Sequence, residues 1–125
     1  MILNVAPCSK PRMSQRDRWK KRQCVVDFFA FRDRIRQELK DKAACLIQEP
    51  PFNWDELNII FLVPMPNSWS KKKKALMAGQ PHQQRPDLDN YLKGLFDATH
   101  EEDATIWKVT ASKIWTDGAG QIIIN

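Results

Sequence analysis

The chain has 125 residues, 42% hydrophobic and 28% charged, with a net charge of +5. That length predicts a single domain over 1–125, large enough to bury about two-thirds of its unfolded surface without staples. No run of roughly 18 apolar residues exists, and the opening Met1–Ala6 is too short and wrongly flanked for a signal peptide, so no membrane span or export is expected.

Ile2 to Ala6 reads as a short strand, and Pro7 to Arg18 as a polar, basic loop with Pro7 and Pro11 as breakers. A long helix is predicted from somewhere in Asp17–Lys21 to about Ile47. Its apolar stripe is Val25, Phe28, Phe29, Ile35, Leu39, Ala43 and Leu46, and Pro50 and Pro51 end it. Leu57 to Val63 is a compact, β-branched apolar run bounded by Pro64 and Pro66, the pattern of a buried strand. A short helix over Ser70–Met77, closed by Gly79, interrupts a loop-rich stretch. His82, Gln83, Gln84 and Arg85 read as mobile and exposed, and His82 has no partner visible in the sequence.

Leu88 to about Thr99 is predicted as a helix with Asp87 as N-cap and Leu88, Leu92, Leu95 and Phe96 on its buried face. Ile106 to Trp115 alternates as a strand, and Asp117-Gly118 signals a turn into a returning strand, Gln121–Asn125. The expected fold is therefore α/β of the α+β type. A mixed sheet carries a long N-terminal helix and a shorter second helix, and closes in a C-terminal β-hairpin.

Charge is unevenly spread. Residues 10–22 hold seven cations, Lys10, Arg12, Arg16, Arg18, Lys20, Lys21 and Arg22, against the single acid Asp17. Lys71, Lys72, Lys73 and Lys74 add a second basic run. From Asp87 to Asp103 there are six acids and only Lys93. Basic runs with a separate acidic cluster point to a polyanionic partner and a cation site. Cys8, Cys24 and Cys45 offer neither a CxxC pair nor zinc spacing and read as reduced thiols of a cytoplasmic protein.

Asp87 and Asp89 flank one leucine at a helix start, and Asp89, Lys93 and Asp97 follow at intervals of four on one polar side. Glu102 and Asp103 come just after that helix. Gathered carboxylates oppose each other's ionisation, and a divalent cation removes that cost. Mg²⁺ prefers hard oxygen ligands and needs only one or two carboxylates beside a phosphate oxygen, which suits phosphodiester hydrolysis. Each residue also has a plain reading: Asp87 as a cap, Asp89–Lys93 as a surface pair, Asp97 and Glu102 as solvated acids, and Asp103 as a turn residue.

The stretch Arg85-Pro86-Asp87-Leu88-Asp89-Asn90-Tyr91-Leu92-Lys93-Gly94-Leu95-Phe96-Asp97-Ala98 resembles the signature of the RusA family of Holliday junction resolvases. The acidic turn Glu102-Asp103 leading to a strand with Lys113, and the N-terminal Lys10-Pro11-Arg12-Met13, fit the same resemblance. It implies a small homodimeric endodeoxyribonuclease, of a kind often encoded by phages or prophages, that binds four-way junctions and makes paired nicks in recombination and repair. It also implies Mg²⁺ as cofactor, with Mn²⁺ as substitute. By the same resemblance Asp87, Asp89 and Asp103 are metal ligands and catalytic aspartates, and Lys93 is the catalytic lysine. Glu102 stands where the family often has another aspartate, and the link from Asp97 to Asp103 is shorter than in some members.

For such a protein the basic residues from Lys10 to Arg22, Lys71 to Lys74 and Arg85 are the expected DNA contacts, setting affinity without reading sequence. Trp19 and Trp69 lie beside those runs, where each could stack on an unpaired base or cover the core edge. Two opposed cuts in a junction of two-fold symmetry call for a C2 dimer. The alternatives are a nuclease that prefers flaps, forks or other branched replication intermediates, and a catalytically silent branched-DNA-binding module.

Overall fold

The computed structural model describes residues 1–20, 22–45, 55–100 and 102–125, with no side chain described at 43–45. The elements run β1 (Ile2–Leu3), a 3-10 turn (Gln15–Arg18), α1 (Gln23–Cys45), β2 (Glu56–Pro64), α2 (Lys71–Met77), α3 (Leu88–Thr99), a second 3-10 turn (Asp103–Thr105), β3 (Lys108–Thr116) and β4 (Gln121–Ile124). The four strands form one mixed sheet in the order β1-β4-β2-β3, so the expected α+β architecture is present.

Strand β2 is the spine because its apolar run can be covered on both edges and on one whole face. It pairs in parallel with β3, from Glu56↔Lys108 to Pro64↔Thr116, and antiparallel with β4, from Ile59↔Ile124 to Leu62↔Gln121. Period-two alternation sends Leu57, Ile59, Phe61 and Val63 into the core. Ile122 and Ile124 of β4 and Leu3 of β1 join them, and all three are fully buried. α1 and α3 cover that face. α1 contributes Val25, Phe28, Phe31 and Ile35, and α3 contributes Tyr91, Leu95 and Ala98. The guanidinium of Arg36 donates from α1 to the carbonyl of Ala98 (3.2 Å), satisfying an end carbonyl of α3.

The expected C-terminal hairpin is not formed. β3 and β4 are not neighbours: the link after Thr116 steps over the end of β2 and places β4 on its other side. The reason lies in β2. With β3 parallel on one edge, its other edge needs a partner, and β4 supplies alternating isoleucines in register with Ile59 and Phe61. The step is tight. A Cβ on Gly120 would lie 2.7 Å from Ala6 and 3.1 Å from Pro64, so only glycine passes there.

Three local expectations also shift. α1 begins at Gln23, later than the predicted start, because the preceding polar segment folds on itself. Asp17 is buried there, accepts from the Ser14 backbone N–H (2.8 Å) and is gripped by the Arg22 guanidinium (3.0 Å). The predicted end of the helix near Ile47, with Leu46, Pro50 and Pro51, lies outside the described residues. On α3 the buried face is rotated toward Tyr91, Gly94, Leu95 and Ala98, leaving Leu88, Leu92 and Phe96 half-buried. His82 is buried, contrary to the exposed loop predicted for it.

Candidate active site and nucleic-acid interface

The site is built where α3 begins, and the loop before it is laid along the free edge of β3. The Gly79 N–H donates to Trp115 O (3.0 Å), Trp115 N–H to Gln80 O (3.0 Å), and His82 N–H to Lys113 O (3.0 Å). This short extension holds the loop to the sheet. His82 tucks under it, its ring 4.1 Å from that of Trp115, with Nδ1 lacking a hydrogen-bond partner among the described residues. Burial, and then the nearby Lys113 charge, pushes the His82 pKa down, so the ring is neutral near pH 7. Lys113 reaches back from β3 and donates to the carbonyls of Gln84 (2.5 Å) and Pro86 (2.7 Å). Its charge thereby sets the backbone on which Asp87 stands.

Asp87 occupies the N-cap position in backbone terms, with φ −65° and ψ 151°, and its carbonyl accepts from Asn90 N–H (3.1 Å). Its carboxylate makes no capping bond, although the side-chain oxygen of an N-cap aspartate normally accepts from a backbone N–H of the first turn. The group is exposed and lines a depression of about 430 Å³ with Arg85, Pro86 and Asn90. Asp89 stands one turn from Lys93, the carboxylate 3.9 Å from the ammonium, both about two-thirds exposed. An open pair at that distance contributes no more than about 0.5 kcal/mol, so both groups are free to engage a ligand.

Asp103 is exposed in the second 3-10 turn, where Glu102 caps the Ala104 N–H (3.4 Å). Among the described residues no group of three or more His, Cys, Asp or Glu side chains is set to hold a metal ion. Asp87 and Asp89 thus share one helix start, and the three aspartates do not converge into a three-carboxylate group. Like charges repel at short range, and each carboxylate points to water. The donor chemistry of the pair fits a hard cation such as Mg²⁺, which is satisfied by one or two carboxylates with waters filling the remaining positions.

The basic N-terminal segment is docked beside this pair. The Lys10 N–H donates to Asn90 O (3.3 Å), and the Lys10 ammonium forms an ion pair with Asp97. Gly94 makes the approach feasible, since a Cβ there would sit 2.6 Å from the Cys8 carbonyl oxygen. As a result Lys10, Arg12, Asn90 and Lys93 line one depression of about 510 Å³. Arg16, Arg18 and Lys20 are exposed just beyond. Arg22 is tied to Asp17 and to the Arg12 carbonyl, so its first duty is to order the segment. Lys21 lies outside the described residues.

Lys71, Lys72, Lys73 and Lys74 form the first turn of α2 behind the Ser70 N-cap, and Arg85 is exposed in the loop. Four cations at the positive end of a helix run against its dipole, an arrangement that favours an anionic partner. Trp69 is half-buried, packed on Trp115 at 4.8 Å and covered by Lys73 at 4.1 Å from its centroid, so it closes the core edge. Trp19 stands 88% exposed. Cys8 and Cys24 are free thiols.

Asn90, Gly94 and Lys113 lie in the stretches quoted for the resemblance, but sequence reasoning gave none of them its own role in building the site. A glycine inside an otherwise strong helical pattern was the available signal for Gly94, because it usually marks a close packing approach.

A family profile described as Endodeoxyribonuclease RusA matches residues 5–125. No curated protein and no solved structure matches the chain. The matched span takes in the docked N-terminal segment, the Asp87–Lys93 helix start, the Asp103 turn and the whole of β2 to β4. The chain belongs to the RusA family of endodeoxyribonucleases, a family of Holliday junction-resolving endonucleases.

Proposed function

We propose that the protein resolves four-way DNA junctions in recombination or repair by paired, Mg²⁺-dependent hydrolysis of two opposed phosphodiesters. The observation that carries this reading is the uncommitted carboxylate of Asp87, which sits at an N-cap without capping. Beside it stand the loosely paired Asp89 and Lys93 and a basic depression lined by Lys10 and Arg12. Carboxylates facing a phosphate make binding worse unless a cation joins them, so a purely DNA-binding role does not account for their placement.

In this reading Asp87 and Asp89, with Asp103 from the adjoining turn, would hold Mg²⁺ or Mn²⁺ by carboxylate oxygens. The ion supplies Lewis-acid stabilisation of charge at the phosphate. Lys93 offsets the negative charge that grows on the non-bridging phosphate oxygens. Lys10 and Arg12 hold flanking phosphates by charge-assisted hydrogen bonds. Lys113 keeps the Gln84 and Pro86 carbonyls fixed, so that Asp87 meets the scissile group in one orientation.

Paired cutting asks for two such sites about a dyad, hence a dimer. On the sheet face away from the helices, Ile2, Ile123 and Ile60 stand in one cross-strand row and Leu62 and Ile114 in the next. Ile2 is 48% exposed and the others are half-buried. This apolar face is where we place the second copy.

The test uses end-labelled four-way junctions, forks and linear duplex, with Mg²⁺ or chelator, beside Asp89→Asn. Symmetrical, ligatable nicks in the junction alone support the reading. Equal cutting of all three substrates, or cutting that survives Asp89→Asn, overturns it. Preferential cutting of forks moves the substrate from four-way to three-way branches.

A further inference from the structure

Three depressions on the surface share residues end to end. The one holding Asp87 shares Asn90 with the basic depression of Lys10, Arg12 and Lys93. That depression shares Met13 with a third, of about 540 Å³, lined by Ser14, Gln15, Arg18 and Trp19. Sharing wall residues, they lie in a row that we read as one groove, leading from the acidic helix start, past Lys93 and Arg12, to the Trp19 indole.

Its chemistry changes along its length in a way that suits one ligand. The near end is carboxylate, the middle is cationic, and the far end is a broad aromatic face beside a guanidinium. Trp19 is 88% exposed, while Trp69 and Trp115 are packed together. Leaving that much indole in water forgoes the burial a tryptophan normally gains. Its platform is nonetheless held in place: the buried Asp17 ties Ser14 and Arg22 together, and the backbone N–H of Trp19 donates to Arg16 O (3.1 Å). A backbone-tracking cationic groove that ends on an aromatic platform is the general arrangement for single-stranded nucleic acid.

We propose that this groove is the track for one unpaired DNA strand leaving the cutting site, with phosphates on Lys93, Arg12 and Arg18 and one base stacked on Trp19. The proposal rests on the reading of the protein as a junction nuclease and adds the element that recognises unpaired nucleotides. Duplex DNA presents its bases already stacked and offers Trp19 nothing, so the groove favours branch points and single-stranded tails over intact duplex.

The test is binding in chelator, which separates it from cutting. Fluorescence anisotropy compares a blunt duplex with the same duplex carrying a tail of about six unpaired nucleotides. The tail is expected to tighten binding about tenfold. Trp19→Ala is expected to abolish that gain, and Trp19→Phe to restore most of it. Arg12→Ala is expected to lower the slope of log affinity against log salt by about one. Circular dichroism checks that each variant is folded. Equal affinity for tailed and blunt probes, or a tail gain that survives Trp19→Ala, overturns the proposal. If the junction-cutting assay fails while the Trp19-dependent gain stands, the nuclease reading falls and the strand track remains.

Discussion

At the residue scale, four residues matter most, one of them a glycine. In the proposed reading Asp87 and Lys93 face the substrate, and Lys113 and Gly94 act through what they position. Lys93→Ala is expected to lower kcat by about 10²–10³-fold, the usual cost of losing one preorganised charge at a developing anion, in single-turnover cleavage with bound Mg²⁺. Lys113→Met releases the Gln84 and Pro86 carbonyls and is expected to reduce kcat about tenfold with little change in KM, because it loosens orientation and leaves the binding groups in place. Gly94→Ala forces a Cβ against the Cys8 carbonyl. It should destabilise by about 1–3 kcal/mol in denaturant titration and weaken DNA binding as the basic segment is pushed off α3.

Acid sensitivity also belongs to single residues. The Arg22 guanidinium, followed by the Ser14 backbone, holds the Asp17 carboxyl well below the usual range. Its folded pKa is depressed, so the unfolded chain takes up the proton first as pH falls. The stabilisation is therefore complete above the unfolded value near 4 and declines below it. Thermal melts of the wild type and Asp17→Asn should differ by a constant amount from pH 7 to 5 and converge below pH 4. His82 has the same sign in a higher window. Stability should fall as pH drops through the unfolded histidine value near 6.5, and His82→Phe should flatten that decline.

At the element scale, the sheet is organised by β2, and substitutions there should be severe. Phe61 is 1% exposed and touches Tyr91 across the core at 5.4 Å between centroids. Phe61→Ala is expected to cost about 3–5 kcal/mol in denaturant unfolding. The existence of the elements was legible because periodicity reports local burial. The compact apolar run of β2, the stripe of α1 and the Leu88–Thr99 helix all come from residues within a turn or two of each other. Strand order was not legible. Asp117-Gly118 looks like a hairpin turn locally, and only the unmet edge of β2 sends β4 across.

The same division holds for the site. Asp87, Asp89 and Lys93 share one stretch of chain and could be read together. The docking of Lys10 on Asn90 spans eighty residues of sequence and depends on a single glycine in α3. His82 looked loose because its partners, Trp115 and the Lys113 carbonyl, come from a strand thirty residues later.

At the scale of the whole molecule, the field and the symmetry matter. A net charge of +5 with cations gathered around one groove predicts junction affinity that falls steeply with salt. Light scattering should give a mass of two chains. Ile123→Glu, which places charge on the sheet face away from the helices, should reduce it to one without unfolding the protein. In the proposed reading a dimer converts single nicks into resolution, which is best tested on a supercoiled plasmid with an extruded cruciform. Two cuts made within one bound complex turn that plasmid directly into a linear product, whereas unlinked cuts first accumulate nicked circles. Linear product is expected from the outset, only with Mg²⁺ or Mn²⁺, and none from Asp89→Asn. Linear product formed in chelator, or by Asp89→Asn at the wild-type rate, would contradict it.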